Sequence, residues 1–130
     1  MNSTLESVIA AANRLIEAFG RHDVKAYFAA FAPNATFIFH NLDRMLTNRE
    51  EYQAEWRLWE ERDGFRVVGC RSSDQRVHLA GDTAIFTHRV ETKVEFNGEP
   101  TETEERETIV FEKAADGAWL AVHEHLSKLS

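Results

Sequence analysis

The stretch Asp116–Ser127, DGAWLAVHEHLS, decides how the chain is read. Asp-Gly signals a two-residue type I′ turn, and the residues after it alternate as a strand does. Such a turn pairs Ala115 with Ala118; counting back, Phe111 faces Val122, Ile109 faces Glu124 and Glu107 faces Leu126. Opposed residues share one side of a sheet. One face is therefore expected to carry Ile109, Phe111, Leu120, Val122 and Leu126, with Glu124 among them. The other carries Trp119, Ala121, His123 and His125. The two histidines and the glutamate between them look in opposite directions, so they do not form one cluster.

The preceding hairpin turns at NGE, Asn97–Glu99. Read as a three-residue loop, it pairs Arg89 with Glu107 and Thr87 with Ile109, which puts Arg89 on the face of Glu124. His88 then joins His125 on the opposite face, with Ala84, Phe86 and Val90. Before it, AGD (Ala80–Asp82) opens the strand Thr83–Phe96, and Thr101–Lys113 runs up to the Asp-Gly turn. Phe65–Arg71 and Gln75–Ala80 read as one long bent strand or two short ones, with a kink at Gly69.

Upstream the pattern is helical. Leu5, Val8, Ile9, Ala12, Leu15, Ile16 and Phe19 recur at helical spacing, Ser3 and Glu6 make a capping box, and Gly20 is a natural stop. Asp23 caps a short second helix with Tyr27, Phe28 and Phe31, ended by Pro33. Thr36–His40 is β-branched and aromatic, a strand. Thr47 and Glu50 form a second capping box before a helix with Tyr52, Trp56 and Trp59 on one side. The expectation is α+β: about three helices against a strongly curved antiparallel sheet, in one domain spanning 1–130.

Composition narrows the function. Fifteen basic against 22 acidic residues leave a charge of −7, which disfavours nucleic acid or an anionic membrane as partners. A lone Cys70 fits a reducing compartment, and Met1–Glu6 is too polar to start a signal peptide, so a cytoplasmic location is expected. No phosphate loop, nucleophile elbow or zinc spacing is present. Three helices cover only one face of the sheet, yet both faces carry bulky apolar groups. A large exposed apolar face marks an interaction surface. A homodimer or a larger ring of dimers is therefore expected, with Phe86, His88, Trp119, His123 and His125 at the contact.

Several side chains are candidates for chemistry. Glu124 is an acid among apolar neighbours, raised by burial and lowered again by Arg89; it is either a general acid or base or half of an internal ion pair. Glu107 competes for Arg89. His123 and His125 stand roughly 6.8 Å apart at strand rise, and a third ligand, His88, is two strands or roughly 10 Å away, so hydrogen-bonded interface histidines are expected rather than a metal site. His40 lies beside the Asn41–Leu46 loop, at the pocket mouth or simply in solvent. Tyr52, Trp56 and Trp59 are pocket wall or plain core. Cys70 reads as a small buried apolar residue.

The pieces NRLIEAFGRHDVKAYFAAFAPNATFIF (13–39), HLAGDTAIFTHRV (78–90) and EERETIVFEKAADGAWLAVHEHLS (104–127) resemble the SnoaL-like branch of the nuclear-transport-factor-2-like, or cystatin-like, superfamily. They are particularly similar to the association domain of calcium/calmodulin-dependent protein kinase II and its stand-alone bacterial relatives. The resemblance covers nearly the whole chain. It implies a cone: a curved sheet wrapped on helices, enclosing a pocket, with the sheet's outer face used for dimerisation. In the kinase domain the pocket carries arginines; Arg89 matches one of those positions, while Ile109 and Leu126 replace two others. Ketosteroid isomerases share the fold, but their base falls on Phe39 and their tyrosine on Leu15, so that catalytic set is absent.

Together these residues imply a small-molecule pocket lined by His40, Tyr52, Trp56, Trp59, Glu107, Ile109, Val122 and Leu126. Its expected ligand is a mostly apolar carbonyl or carboxylate compound, held by Arg89 and worked on by Glu124 as an isomerase, cyclase or dehydratase works, with no cofactor. The alternative is a non-catalytic oligomerisation module.

Overall fold

The computed structural model describes residues 3–129. Helix α1 (Thr4–Gly20), helix α2 (Val24–Ala29), strand β1 (Phe31–Phe39) and helix α3 (Arg49–Asp63) precede four long strands: β2 (Phe65–Ala80), β3 (Thr83–Phe96), β4 (Glu99–Lys113) and β5 (Trp119–Lys128). The sheet order is β1-β5-β4-β3-β2. The last four strands form the antiparallel meander expected, but β1 joins the edge of β5 in parallel, so the sheet is mixed. It is a curved α+β sheet with three helices, not closed into a barrel. None of the described helices is long and apolar enough to cross a membrane.

Local chemistry sets the element ends, in places one residue from where the pattern put them. The Ser3 hydroxyl accepts from the Glu6 backbone N–H, as the capping box requires. Gly20, however, is the last helical residue, and the left-handed backbone falls on His22 (φ 56°). Gly20 serves packing instead: a Cβ there would meet Cys70 Sγ at 3.1 Å. Asp23 caps α2, whose helix ends at Ala29; Pro33 lies within β1, beside a register shift between Phe31 and Thr36. The second capping box is displaced by one: Asn48 is the cap accepting from Glu51 N–H, and Glu51 accepts from Thr47. Strand β2 is a single bent strand, with register shifts between Val67 and Gly69 and between Ser73 and Arg76.

The hairpins carry the larger correction. Asn97 (φ 52°) and Gly98 (φ 82°) make a two-residue turn, pairing Phe96 with Glu99. Two successive left-handed residues are what a type I′ turn demands, and Asn-Gly supplies them. Arg89 therefore faces Arg106, and His88 faces Glu107. Because side chains alternate, one residue of slip reverses every side chain of β3: Phe86 and His88 point to the helices and Arg89 points away.

At the last turn the loop is Ala115–Gly117, closed by Ala114 N–H to Ala118 O at 2.7 Å, one residue longer than expected. A bulge at Val122 then takes up the extra residue. The two departures cancel. Phe111 pairs with Ala121, but Ile109 pairs with Glu124 and Glu107 with Leu126 as anticipated. Upstream of the bulge the faces are exchanged, so Trp119 and Ala121 are buried in the core rather than on the outer face. The core lies between the concave face (Ala84, Phe86, Ile109, Phe111, Phe37) and the inward residues of the helices (Val8, Ala12, Leu15, Phe28, Trp56).

Candidate functional site

Helices and sheet do not close fully on one another. Between them is a cavity of about 600 Å³, with Leu15, Ile16 and Phe19 of α1 on one side, Tyr52, Trp56 and Trp59 of α3 on another, and β3–β5 beneath. Aromatic rings make most of the wall: Trp56 stands 5.0 Å edge-on from Phe65 and 6.1 Å from Tyr52, centre to centre.

Glu124 and Glu107 lie on the cavity floor, only 1% and 8% exposed. Their positions follow from pairing: β4 and β5 are in register here, and each residue sits one pleat from the other on the concave face. The charge of each carboxyl is felt by the other across this pleat. Burial pushes Glu107 up to about 8. Glu124 is held well above the usual carboxylate range by burial and then by the charge of Glu107. Two buried carboxyls this close do not both ionise, so the pair keeps a proton at neutral pH.

Hydrogen bonds extend from the pair in both directions. Tyr27 Oη donates to Glu124 at 3.3 Å and is itself bonded to Tyr52 Oη at 2.9 Å. Both phenols are pushed well up by burial and by the Glu124 charge, and so remain donors. On the other side His88 Nε2 meets Glu107 Oε1 at 2.6 Å, and His88 Nδ1 meets Ser72 Oγ at 2.6 Å. Burial lowers His88 to about 4, so the ring is neutral there. Every buried polar side-chain atom among the described residues has a partner.

The mouth is built of paired polar side chains. His40 Nε2 lies 2.5 Å from Glu105, Arg44 lies 2.6 Å from Glu55, and Arg62 lies 2.8 Å from Asp63. Cys70 also lines the cavity; burial raises its thiol to about 11, and it donates to Ile16 O.

Set against the sequence, His40, Tyr52, Trp56, Trp59, Glu107, Glu124 and Leu126 all line the cavity. Ile109 is buried on the same face without reaching it, and Val122 is displaced by the bulge. Arg89 is elsewhere. It lies on the outer face, bonded to Glu104 through Nε at 2.6 Å, and pairs with neither Glu124 nor Glu107. Phe86, His88 and Trp119 are interior, not interface, residues. His123 and His125 do lie on the outer face, their rings 6.3 Å apart, with His123 Nδ1 on Thr36 Oγ1. Among the described residues no three His, Cys, Asp or Glu side chains come together in a metal-ligating group. Tyr27 and His88 were the residues missed. A buried tyrosine must bond its hydroxyl, which marks Tyr27 as a partner for an interior acid; the type I′ reading of Asn-Gly finds His88.

Comparison with known proteins agrees with this architecture. The family model of the SnoaL-like domain matches residues 8–129. No curated protein matches the sequence. Among solved structures, a ketosteroid isomerase-like protein from Erwinia carotovora atroseptica superposes with a TM-score of 0.83 at 22% identity, over 100% of this chain and 99% of that one. An NTF2-like protein from Cytophaga hutchinsonii gives 0.82 at 18%, over 99% and 100%. A calcium/calmodulin dependent protein kinase II association domain from Xanthomonas campestris, so described provisionally, gives 0.79 at 18%, over 98% and 89%. Identities this low speak for the fold alone.

Proposed function

We propose, for a chain that belongs to the SnoaL-like domain family, the role of a small-molecule pocket protein that moves protons on a mostly apolar ligand. The observation that carries the reading is the Glu107–Glu124 pair on the floor of an aromatic cavity. Glu107 titrates close to neutral pH, where a side chain is most effective as general base. Glu124 keeps its proton and, beside Tyr27, donates a hydrogen bond to the ligand's polar group. On a ketone, Glu107 takes a proton from the carbon next to the carbonyl while Glu124 gives one to the oxygen, leaving an enol. Both partners are side chains, so the step asks for no cofactor. The carboxylate ligands expected from the sequence lose their support, because Arg89 is outside the cavity and the floor is acidic.

The test is hydrogen–deuterium exchange at carbon 1 of 2-tetralone in D₂O, followed by NMR. Wild-type protein is expected to speed exchange above buffer, and Glu107→Gln to reduce that gain by about 10²-fold, the usual weight of a general base. Exchange no faster than in buffer, or undiminished in a folded Glu107→Gln variant, defeats the reading.

A second reading, self-association, is favoured by the sheet's outer face. Ile85 is 39% exposed there beside its register partner Val110, on the side of His123 and His125. The Xanthomonas protein of the same fold is described as an association domain. A dimer or a ring of dimers through this face is compatible with a working pocket on the other.

A further inference from the structure

We propose that the polar head of the ligand is a basic nitrogen: the cavity is a site for a mostly apolar, protonated amine, held between the ring walls and the carboxyl pair. This rests on the cavity and carboxyl pair of the reading above and not on its ketone step, since an ammonium group accepts no proton. Three observations carry it.

The first is the balance of charge. Among the described residues that line the cavity, the two arginines are each neutralised at the mouth, Arg44 by Glu55 and Arg62 by Asp63, and both are more than half exposed. Neither is bonded to the floor. There Glu107 faces Glu124 from β5, His88 from β3 and Glu105 from its own strand. Cys70 of β2, Tyr27 of α2 and Tyr52 of α3 complete its titratable surroundings, and α1 contributes only apolar side chains to the cavity. None of these is a cation, since the His88 ring is neutral. A second, buried charge here has no counter-ion in the protein.

The second is the wall. Phe19, Phe39, Tyr52, Trp56, Trp59 and Phe65 offer ring faces and edges around the space above the floor. Aromatic rings attract a cation, more strongly once it is desolvated. The third is exchange of charge: an ammonium group replaces the proton that the pair now holds, so the ligand enters as Glu107 ionises. Anions meet acid at the floor and gain nothing from the mouth.

The experiment compares three probes of one shape, 2-aminotetralin, 2-tetralol and tetralin-2-carboxylate, by titration calorimetry at pH 6.5, 7.5 and 8.5 in phosphate and Tris. The amine is expected to bind tightest, to gain up to about tenfold in affinity per pH unit below pH 8, and to release about one proton. The proton shows as a difference in heat between the two buffers. In Glu107→Gln the amine loses its pH dependence and at least about tenfold in affinity relative to the alcohol. Tighter binding of the alcohol or the acid, or amine binding without proton release, overturns the amine but leaves the pocket. Binding of none of the three overturns both.

Discussion

A carboxyl that keeps its proton in the fold and loses it in the unfolded chain makes stability depend on pH. Glu107 moves from 4.5 to about 8 on folding, and Glu124 moves in the same direction. Between these values the native state binds more protons than the unfolded one, so stability falls as pH rises, by about 1.4 kcal/mol per pH unit for each proton. His88, lowered from 6.5 to about 4, acts in the opposite sense, but only below about 6.5. The carboxyls are therefore seen alone from pH 6.5 to 8. Over that window the melting temperature is expected to drop by several degrees, and the drop to shrink in Glu107→Gln and Glu124→Gln. A flat profile in scanning calorimetry of the wild type contradicts the burial argument. At this scale the sequence was half legible. Glu124 and Glu107 were found because strand alternation and pairing put both on one face, whereas His88 hung on the length of one turn and Tyr27 comes from α2, whose approach no local pattern encodes.

Among the elements, turns carried the information that periodicity did not. Every strand was visible as a β-branched or aromatic run, but which way each faced hung on one residue per loop. The Asn97–Gly98 turn sent Arg89 outward, and the Val122 bulge restored Glu124 after a longer loop had displaced it. Bulges have little sequence signature, and here one concealed an error in the turn before it. The same β3–β4 turn is fixed from the helix side. Gly64 ends α3 in left-handed backbone (φ 61°), and its carbonyl accepts from Asn97 N–H at 3.2 Å. A Cβ at Gly64 would lie 2.9 Å from that nitrogen. Gly64→Ala is thus expected to cost roughly 2 kcal/mol or more, combining the strained φ with the clash. Urea denaturation measures it, and a loss below about 0.5 kcal/mol, within the range of an ordinary surface change, speaks against the contact.

For the molecule as a whole, the fold class was the most legible property, because helix-then-strand order and a chain-long family resemblance agree. The outer face was read least well. Its expected apolar content, Phe86 and Trp119, is in fact core, and what remains is a smaller patch around Ile85 and Val110. If that patch joins two copies, Ile85→Arg shifts the mass in light scattering from dimer to monomer at micromolar concentration without changing the circular dichroism. A wild type that is already monomeric there removes the second role.

The parallel seam between β1 and β5 also sets an order of events. Phe37 of β1 is bonded to Leu46 on one side and waits for Glu124 on the other, and Glu124 lies midway along the final strand. On a ribosome adding about 5–20 residues per second, the early strand stays unzipped for several seconds while the intervening residues emerge. Such distant closure is slow, and until it happens the helices have no finished sheet to cover. The carboxyl pair of the floor is therefore completed only when β5 joins the sheet, and a nascent chain stalled before β5 has Glu107 without Glu124.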